Sequence, residues 1–201
     1  QNNYLCALCL MSGEAGLAFV DASTGDIAAT SLKGGGLENR IMTEIEAYSP
    51  RELLLNTALS DYPKLSDYLR NRLKAMVSDK EEERFDYGKA MLTVKRKFGK
   101  GGAVRDGESP ALISAVGALL GYVSENQKTD ISYIKNLNIY TDGQFLEIDP
   151  NTRRNLEICE TMRTKEKKGS LLWVLDRTRT SMGARLLRKW LELPLVNTYY
   201  I

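Results

Sequence analysis

The residues with the most chemistry to offer are few. Glycine and lysine stand together at Gly88-Lys89-Ala90 and at Gly99-Lys100-Gly101. A phosphate-binding loop needs a Ser or Thr after that lysine, because backbone amides cradle the phosphates while the hydroxyl serves magnesium. Both places lack the hydroxyl, so ATP binding by this route is not expected. Asp21-Ala22-Ser23-Thr24-Gly25 has the letters of a short phosphate-binding turn, but the same letters end a strand in an ordinary turn, which is the preferred reading. In Lys95-Arg96-Lys97-Phe98-Gly99-Lys100, the cations Lys95, Arg96 and Lys97 are candidate phosphate contacts, and a solvated helix face explains them equally well. The sequence has no histidine, which removes His-based triads, the commonest proton shuttle and the usual zinc sites. Its three cysteines, an odd number, fit a reducing compartment better than a disulfide framework and read as buried small hydrophobes.

The chain has 201 residues, enough for one complete domain followed by part of a second. A hydrophobic fraction of 43%, a charged fraction of 27% and a mean hydropathy of −0.32 are those of a globular protein. The longest apolar runs, such as Tyr4 to Met11, are too short to cross a bilayer, and the start shows no export signal, so a cytoplasmic location without a membrane partner is expected. The net charge of +2 conceals a division. Residues 1–150 hold 17 Lys and Arg against 21 Asp and Glu, and residues 151–201 hold 11 against 5. The basic part is a candidate for lying near acidic surface or nucleic acid; a solvated helix face accounts for it as well.

Positioning these groups falls to a recognisable series of elements. Tyr4 to Leu10, Leu17 to Asp21 and Asp26 to Leu32 are separated by short glycine-containing turns, which predicts three antiparallel strands, the first buried on both faces. Leu37, Ile41, Ile45 and Tyr48 predict a helix that stops before Pro50, and Glu52 to Asn56 a strand. A second helix is expected from Ser60-Asp61-Tyr62-Pro63 through Leu65, Leu69, Leu73 and Met76, then a surface loop over Ser78 to Arg84. A third helix spans Tyr87 to Phe98, and Ser109-Pro110 opens a fourth with Leu112, Val116, Leu119 and Val123 inward and Gly117 and Gly121 available for close approach. Leu137 to Tyr140 and Phe145 to Ile148, around Asp142-Gly143, predict a hairpin. Beyond Pro150 the pattern turns helical, with capping residues at Thr152, Ser170 and Thr180 or Ser181. The domain boundary is expected at 149–151.

Three stretches of that last part, Asp149-Pro150-Asn151-Thr152-Arg153-Arg154-Asn155-Leu156-Glu157-Ile158, Ser170-Leu171-Leu172-Trp173-Val174-Leu175-Asp176 and Thr180-Ser181-Met182-Gly183-Ala184-Arg185-Leu186-Leu187-Arg188-Lys189-Trp190-Leu191, resemble the opening of the core domain of the MutS family. Gly16 to Gly25 and Pro50-Arg51-Glu52-Leu53-Leu54 resemble the family's connector domain. The resemblance covers essentially the whole chain. It implies an α/β fold, a ribonuclease-H-like mixed sheet with flanking helices over residues 1–150, followed by the first helices of an incomplete all-α core domain over 151–201. Arg153, Arg154, Asn155, Glu157 and Arg185 are then candidate interdomain contacts, although helix capping and surface ion pairs explain the same residue types.

The function this implies is that of an interior fragment of a DNA mismatch-recognition protein: a non-catalytic relay between the mismatch-reading domain and the lever and ATPase domains, with a surface that docks MutL. The implied partners are mismatched duplex DNA through the parent protein, MutL, and a second MutS copy. No cofactor is expected in the fragment, since ATP and magnesium belong to the family's ATPase domain. Phe145-Leu146-Glu147 has the Phe-x-Glu form the family uses to stack on a mismatch, but in a predicted hairpin it reads as a chance match. The rival is a two-metal nuclease of ribonuclease-H type, which needs acids converging on the sheet. The first strand has none, Asp21 falls at a strand end, and Glu44 and Glu46 read as exposed helix residues.

Overall fold

The computed structural model describes residues 4–99, 104, 107–127, 131–141, 143, 145, 146, 148 and 150–196, and divides them into two compact units, Gln1–Asp142 and Gly143–Ile201. The first unit is built on β1 (Tyr4–Met11), β2 (Glu14–Asp21) and β3 (Asp26–Lys33), which pair antiparallel in succession. Ser12 and Gly13 both adopt positive φ, 50° and 76°, the pair of left-handed residues that a two-residue hairpin turn requires. The second turn is closed by Gly25, whose N–H donates to Asp21 O at 2.8 Å. The Asp21 carboxylate accepts from Ser23 N at 2.9 Å and from the Ser23 hydroxyl, so Asp21-Ala22-Ser23-Thr24-Gly25 is a strand-ending turn held by its own side chains.

The sheet is mixed and six-stranded, in the order β5-β4-β1-β2-β3-β6, with β4 (Glu52–Leu55) parallel to β1, β5 (Met76–Ser78) parallel to β4, and β6 (Asn136–Ile139) parallel to β3. Burial of both faces explains the unbroken apolar run of β1, since alternate side chains supply two cores. Ala7, Cys9, Ala18, Val20 and Ala29 join one core with α3 (Tyr87–Phe98) and α4 (Pro110–Gln127). The residues between them point to the other side, where Phe19 stacks on Tyr48 of α1 (Leu37–Tyr48) with ring centroids 4.0 Å apart. Helix α4 starts as its sequence predicts. Ser109 Oγ accepts from Leu112 N at 3.2 Å and Pro110 occupies the first turn.

Glycine sets how closely α4 can lie. A Cβ added to Gly16 would stand 2.1 Å from Ala111 O, and one added to Gly117 would stand 2.3 Å from the Ala90 Cβ. Gly121, expected to serve the same purpose, faces open space, with nothing within 4 Å of an added Cβ.

Three expectations are corrected. The second helix does not run to Met76. A 3-10 turn at Leu59–Asp61 leads into α2 (Pro63–Asp67) and a π-helical segment, Tyr68–Leu73, and the left-handed Lys74 (φ 55°) then ends the helix. Met76–Ser78 becomes edge strand β5 because backbone pairing with Glu52–Leu54 outweighs the helical spacing of the leucines. The segment read as a loop over Ser78 to Arg84 ends in a 3-10 turn, Glu82–Phe85. Among the described residues, the pairing predicted across Gly143 is not found either; Asp142 and Gln144 lie outside them. β6 pairs with β3, and Tyr140 continues that pairing by donating its N–H to Ala29 O at 3.0 Å. Phe145 instead bridges to Leu195, and Leu146 N donates to Pro194 O at 2.7 Å. Glu147 lies outside the described residues.

The second unit contains α5 (Pro150–Asn155), α6 (Leu171–Leu175) and α7 (Ser181–Glu192). Ser170 caps α6 by accepting from Trp173 N at 3.2 Å, and Thr180 caps α7 by accepting from Gly183 N at 3.1 Å. The fold is thus an α/β domain with a helix-flanked mixed sheet followed by a short all-α unit. Among the described residues, no helix is long and apolar enough to cross a membrane.

Beside the Phe19–Tyr48 stack, the Tyr140 hydroxyl donates to Glu44 Oε2 at 2.6 Å. Burial pushes Tyr48 and Tyr140 well above the ordinary phenol range, and Glu44 adds to it. A phenol whose pKa is raised on folding contributes stability that is fully present below its unfolded pKa of about 10 and is lost as pH climbs above it. Spectrophotometric titration with circular dichroism followed in parallel should therefore show Tyr48 and Tyr140 ionising only as the unit unfolds. A smooth titration of all ten tyrosines with the circular dichroism unchanged would contradict it.

Candidate functional site

The residues that carry charge outward in the first unit gather on α3 and beside it. Asp86 caps α3 by accepting from Lys89 N at 2.8 Å, and Ala90, Val94 and Phe98 form its buried stripe. That register turns Lys89, Leu92, Lys95 and Arg96 to solvent. Lys97 is half-buried, with its Nζ 5.9 Å from the centre of the Phe98 ring. Of the candidate phosphate contacts, Lys95 and Arg96 thus share an exposed face and Lys97 turns from it.

A groove of about 360 Å³ is lined by Lys89 of α3, by Gly117 and Glu125 of α4, and by Glu81, Glu83 and Arg84. Arg84 is the organiser, and sequence reading did not single it out. Its Nη1 donates to Glu125 Oε2 at 2.8 Å, its Nε to Glu81 Oε2 at 3.3 Å, and its guanidinium lies 5.4 Å from the centre of the Tyr122 ring. Only Glu81, three residues earlier, was within reach of a sequence argument; Glu125 is brought there by α4.

The candidate interdomain residues of the second unit fall in three settings. Arg153 is half-buried, and its Nη2 donates to Glu192 O at 2.7 Å, while Nε and Nη1 are enclosed without a hydrogen-bond partner among the described residues. Glu192 is 7% exposed, and its Oε1 accepts from Arg188 Nε at 2.8 Å. Burial, reinforced by Glu192, pushes the nearby Cys159 thiol up to about 12, so it is not a nucleophile at neutral pH. Glu157 holds a loop: its Oε1 accepts from Met162 N at 2.7 Å and its carbonyl from Leu171 N at 3.0 Å. Arg154 and Asn155 are exposed on α5, and Arg185 is half-buried on α7.

The acids weighed as metal ligands are dispersed rather than gathered. Asp21 is held by Ser23, Glu44 by Tyr140 and Glu46 by Tyr68, and the two glutamates are half-buried rather than exposed as expected. Among the described residues, no three His, Cys, Asp or Glu side chains converge to hold a metal ion. One motif escaped the sequence reading altogether. Cys6-Ala7-Leu8-Cys9 has the Cys-x-x-Cys spacing of redox and metal sites. It lies wholly within β1, where an offset of three residues places the two cysteines about 10 Å apart along the strand with their thiols on opposite faces. Both are buried, and burial raises both thiols, Cys9 to about 11 with help from Glu14. They are core residues, as expected of them.

Fold and surface together define a protein whose described parts are an α/β domain with a charged helix face and groove, followed by a helical unit rich in arginine. Comparison with known proteins places that class. The family model for MutS domain II matches residues 3–135, and that for MutS domain III matches residues 151–201. The DNA mismatch repair protein MutS of Ruminiclostridium cellulolyticum is 42% identical over 197 residues, covering 98% of this chain and 22% of the relative. Those of Acetivibrio thermocellus and Clostridium novyi are 39% and 40% identical, covering 100% and 98% of this chain and 23% and 21% of theirs. The chain belongs to the MutS family. It spans a little over a fifth of the length of these relatives.

Proposed function

We propose that this chain acts in DNA mismatch repair as a non-catalytic relay within a larger MutS protein. It links a mismatch-reading domain to the lever helices and ATPase, and its connector offers a surface for MutL. The observation that carries this reading is the tandem match of MutS domains II and III across the chain, together with similarity over nearly its whole length to relatives named as mismatch repair proteins. The packing supports it. Gly16 and Gly117 let α4 lie against the sheet and α3 at backbone distance, so the α/β unit moves as one body, which is what transmitting a change between discrete arrangements requires. On this reading ATP and magnesium are handled by the ATPase domain of the parent protein, mismatched duplex DNA is met through that parent, and the parent works as an association of copies.

Segment exchange tests the proposal. The matching segment of a full-length relative is replaced by this chain, and the chimera is expressed in cells lacking MutS. Mutation frequency should return to near that of the intact relative. A soluble chimera that retains DNA-stimulated ATP hydrolysis yet leaves the mutation frequency at the level of the deficient cells would defeat the relay reading.

A further inference from the structure

Strand β5 is three residues long, lies at the edge of the sheet against β4, and leaves Met76 68% exposed. Left-handed lysines stand on either side of it, Lys74 at φ 55° and Lys80 at φ 62°, a conformation that glycine adopts without the steric cost a Cβ brings. The helix before it ends weakly. Tyr68–Leu73 is π-helical, a form that departs from the regular α-helix and rarely extends beyond a single turn. Its cap rests on one acceptor, since Leu69 O takes the N–H of Lys74 and, at 3.3 Å, that of Ala75, with lysine in the place where such a cap ordinarily has glycine. The side chains, by contrast, continue a helix. Leu65 and Leu69 are fully buried, Leu73 is half-buried, and Met76 falls three residues further along the same stripe.

Two arrangements therefore compete for residues 74–78. The strand gives β4 its parallel partners, with Met76 N donating to Arg51 O at 2.9 Å, and this is the arrangement the structure holds. A continued helix would relieve the left-handed lysine, turn the π segment into α-helix and return Met76 to the apolar stripe. We propose that residues 68–81 are a two-state element, in which β5 leaves the sheet and helix α2 runs on through Met76 while the other five strands keep their pairing. The exchange reaches beyond the edge. Each residue passing from strand to helix shortens the chain by about 1.8 Å, and Phe85, buried in the core, anchors the far end. The missing length must come from Asp79-Lys80-Glu81. That stretch is tied to the chain after β4: Asp79 Oδ2 accepts from Leu59 N at 2.9 Å, Lys80 N donates to Thr57 O at 3.2 Å, and Glu81 N donates to Leu55 O at 3.1 Å. These bonds open with the strand. Because Glu81 also accepts from Arg84 Nε, the state of the edge decides whether Arg84 keeps both of its carboxylates. The element thus couples a sheet edge to the groove at Arg84, the kind of discrete rearrangement by which packed structures transmit change. It adds to the relay role proposed above and does not rest on it.

Saturation-transfer NMR on the isotopically labelled whole chain reads the second state directly. Residues 74–77 should exchange with a minor state, populated to about 1%, whose Cα shifts are helical. The amides of Leu59 and Glu81 should exchange at the same rate. Lys74→Gly favours the left-handed stop and disfavours the continued helix, so it should shrink the minor state by about tenfold. Val77→Ala should enlarge it about threefold, since alanine favours helix and valine strand. A minor state with coil shifts at residues 74–77 would mean that β5 only frays, and overturns the inference. Absence of exchange in both the unaltered chain and Val77→Ala overturns it too. Unrelated rates at Leu59 and Glu81 would overturn the coupling to the groove.

Discussion

Gly16→Ala should cost the α/β unit about 3 kcal/mol, the upper part of the range for overpacking, although only one methyl group is added. The methyl would stand 2.1 Å from Ala111 O and 2.4 Å from Leu112 N, both backbone atoms at the start of α4. A side chain could swing aside; a helix terminus must be displaced. Gly117→Ala meets Ala90 instead, with its Cβ at 2.3 Å and its Cα at 2.6 Å, and should cost about 2 kcal/mol because α3 must move from α4. Gly121→Ala, one turn further along the same helix, should stabilise by about 0.5–1 kcal/mol, since nothing lies within 4 Å and alanine removes the entropic penalty of glycine. Urea denaturation followed by circular dichroism separates the three. Fluorescence does not serve, because both tryptophans, Trp173 and Trp190, lie in the second unit. Equal stability of Gly16→Ala and Gly121→Ala would refute the close approach of β2 and α4.

The other large effect belongs to the opposite face. Phe19 is fully buried and stacks on Tyr48 with an interplanar angle of 12°, and the Tyr4 ring meets Tyr48 edge-on at 5.3 Å. Phe19→Ala should lose about 3–5 kcal/mol, because the deleted ring leaves a cavity between β2 and α1 that a paired sheet cannot close. Tyr48→Ala should lose a similar amount. The double variant should lose less than the two together by about 1 kcal/mol, the part belonging to ring–ring contact. Phe19→Leu should recover most of the loss by refilling the volume. Strict additivity of the two alanine variants would mean that α1 is held by burial alone and that the stack adds nothing.

Much of this was legible in the sequence. The spacing of Leu37, Ile41, Ile45 and Tyr48 predicts α1, and the run Tyr87 to Phe98 predicts α3 with its terminal Gly99. Ser109-Pro110 predicts the start of α4, and the unbroken apolar run of β1 predicts a strand covered on both sides. Each follows from interactions between residues a few positions apart, or from a one-dimensional pattern of burial, so the chain by itself determines them. The segments resembling the MutS connector and core are of the same kind, since an ordered series of letters suffices to identify a family.

What needed the tertiary structure was every choice between distant partners. Asn136–Ile139 had a nearby apolar segment and a tight-turn sequence to pair with, yet it joins β3, 110 residues away, where Asn136 Nδ2 donates to Asp26 Oδ1 at 3.0 Å and Thr30 Oγ1 to Tyr140 O at 2.9 Å. Met76 had helical spacing and became a strand because an open edge of β4 offered its backbone partners. The thiols of Cys6 and Cys9 share a motif spacing and are parted by the pleat of β1. The candidate site divides in the same way. The cations of α3 could be read from sequence, whereas the pairing of Arg84 with Glu125 exists only because α4 carries the glutamate there across 41 residues of chain. Local propensity fixes the type of the long periodic segments, but the edge strand at Met76–Ser78, the pairing of strands and the formation of the groove depend on the backbone and charge partners that the compact fold brings within reach.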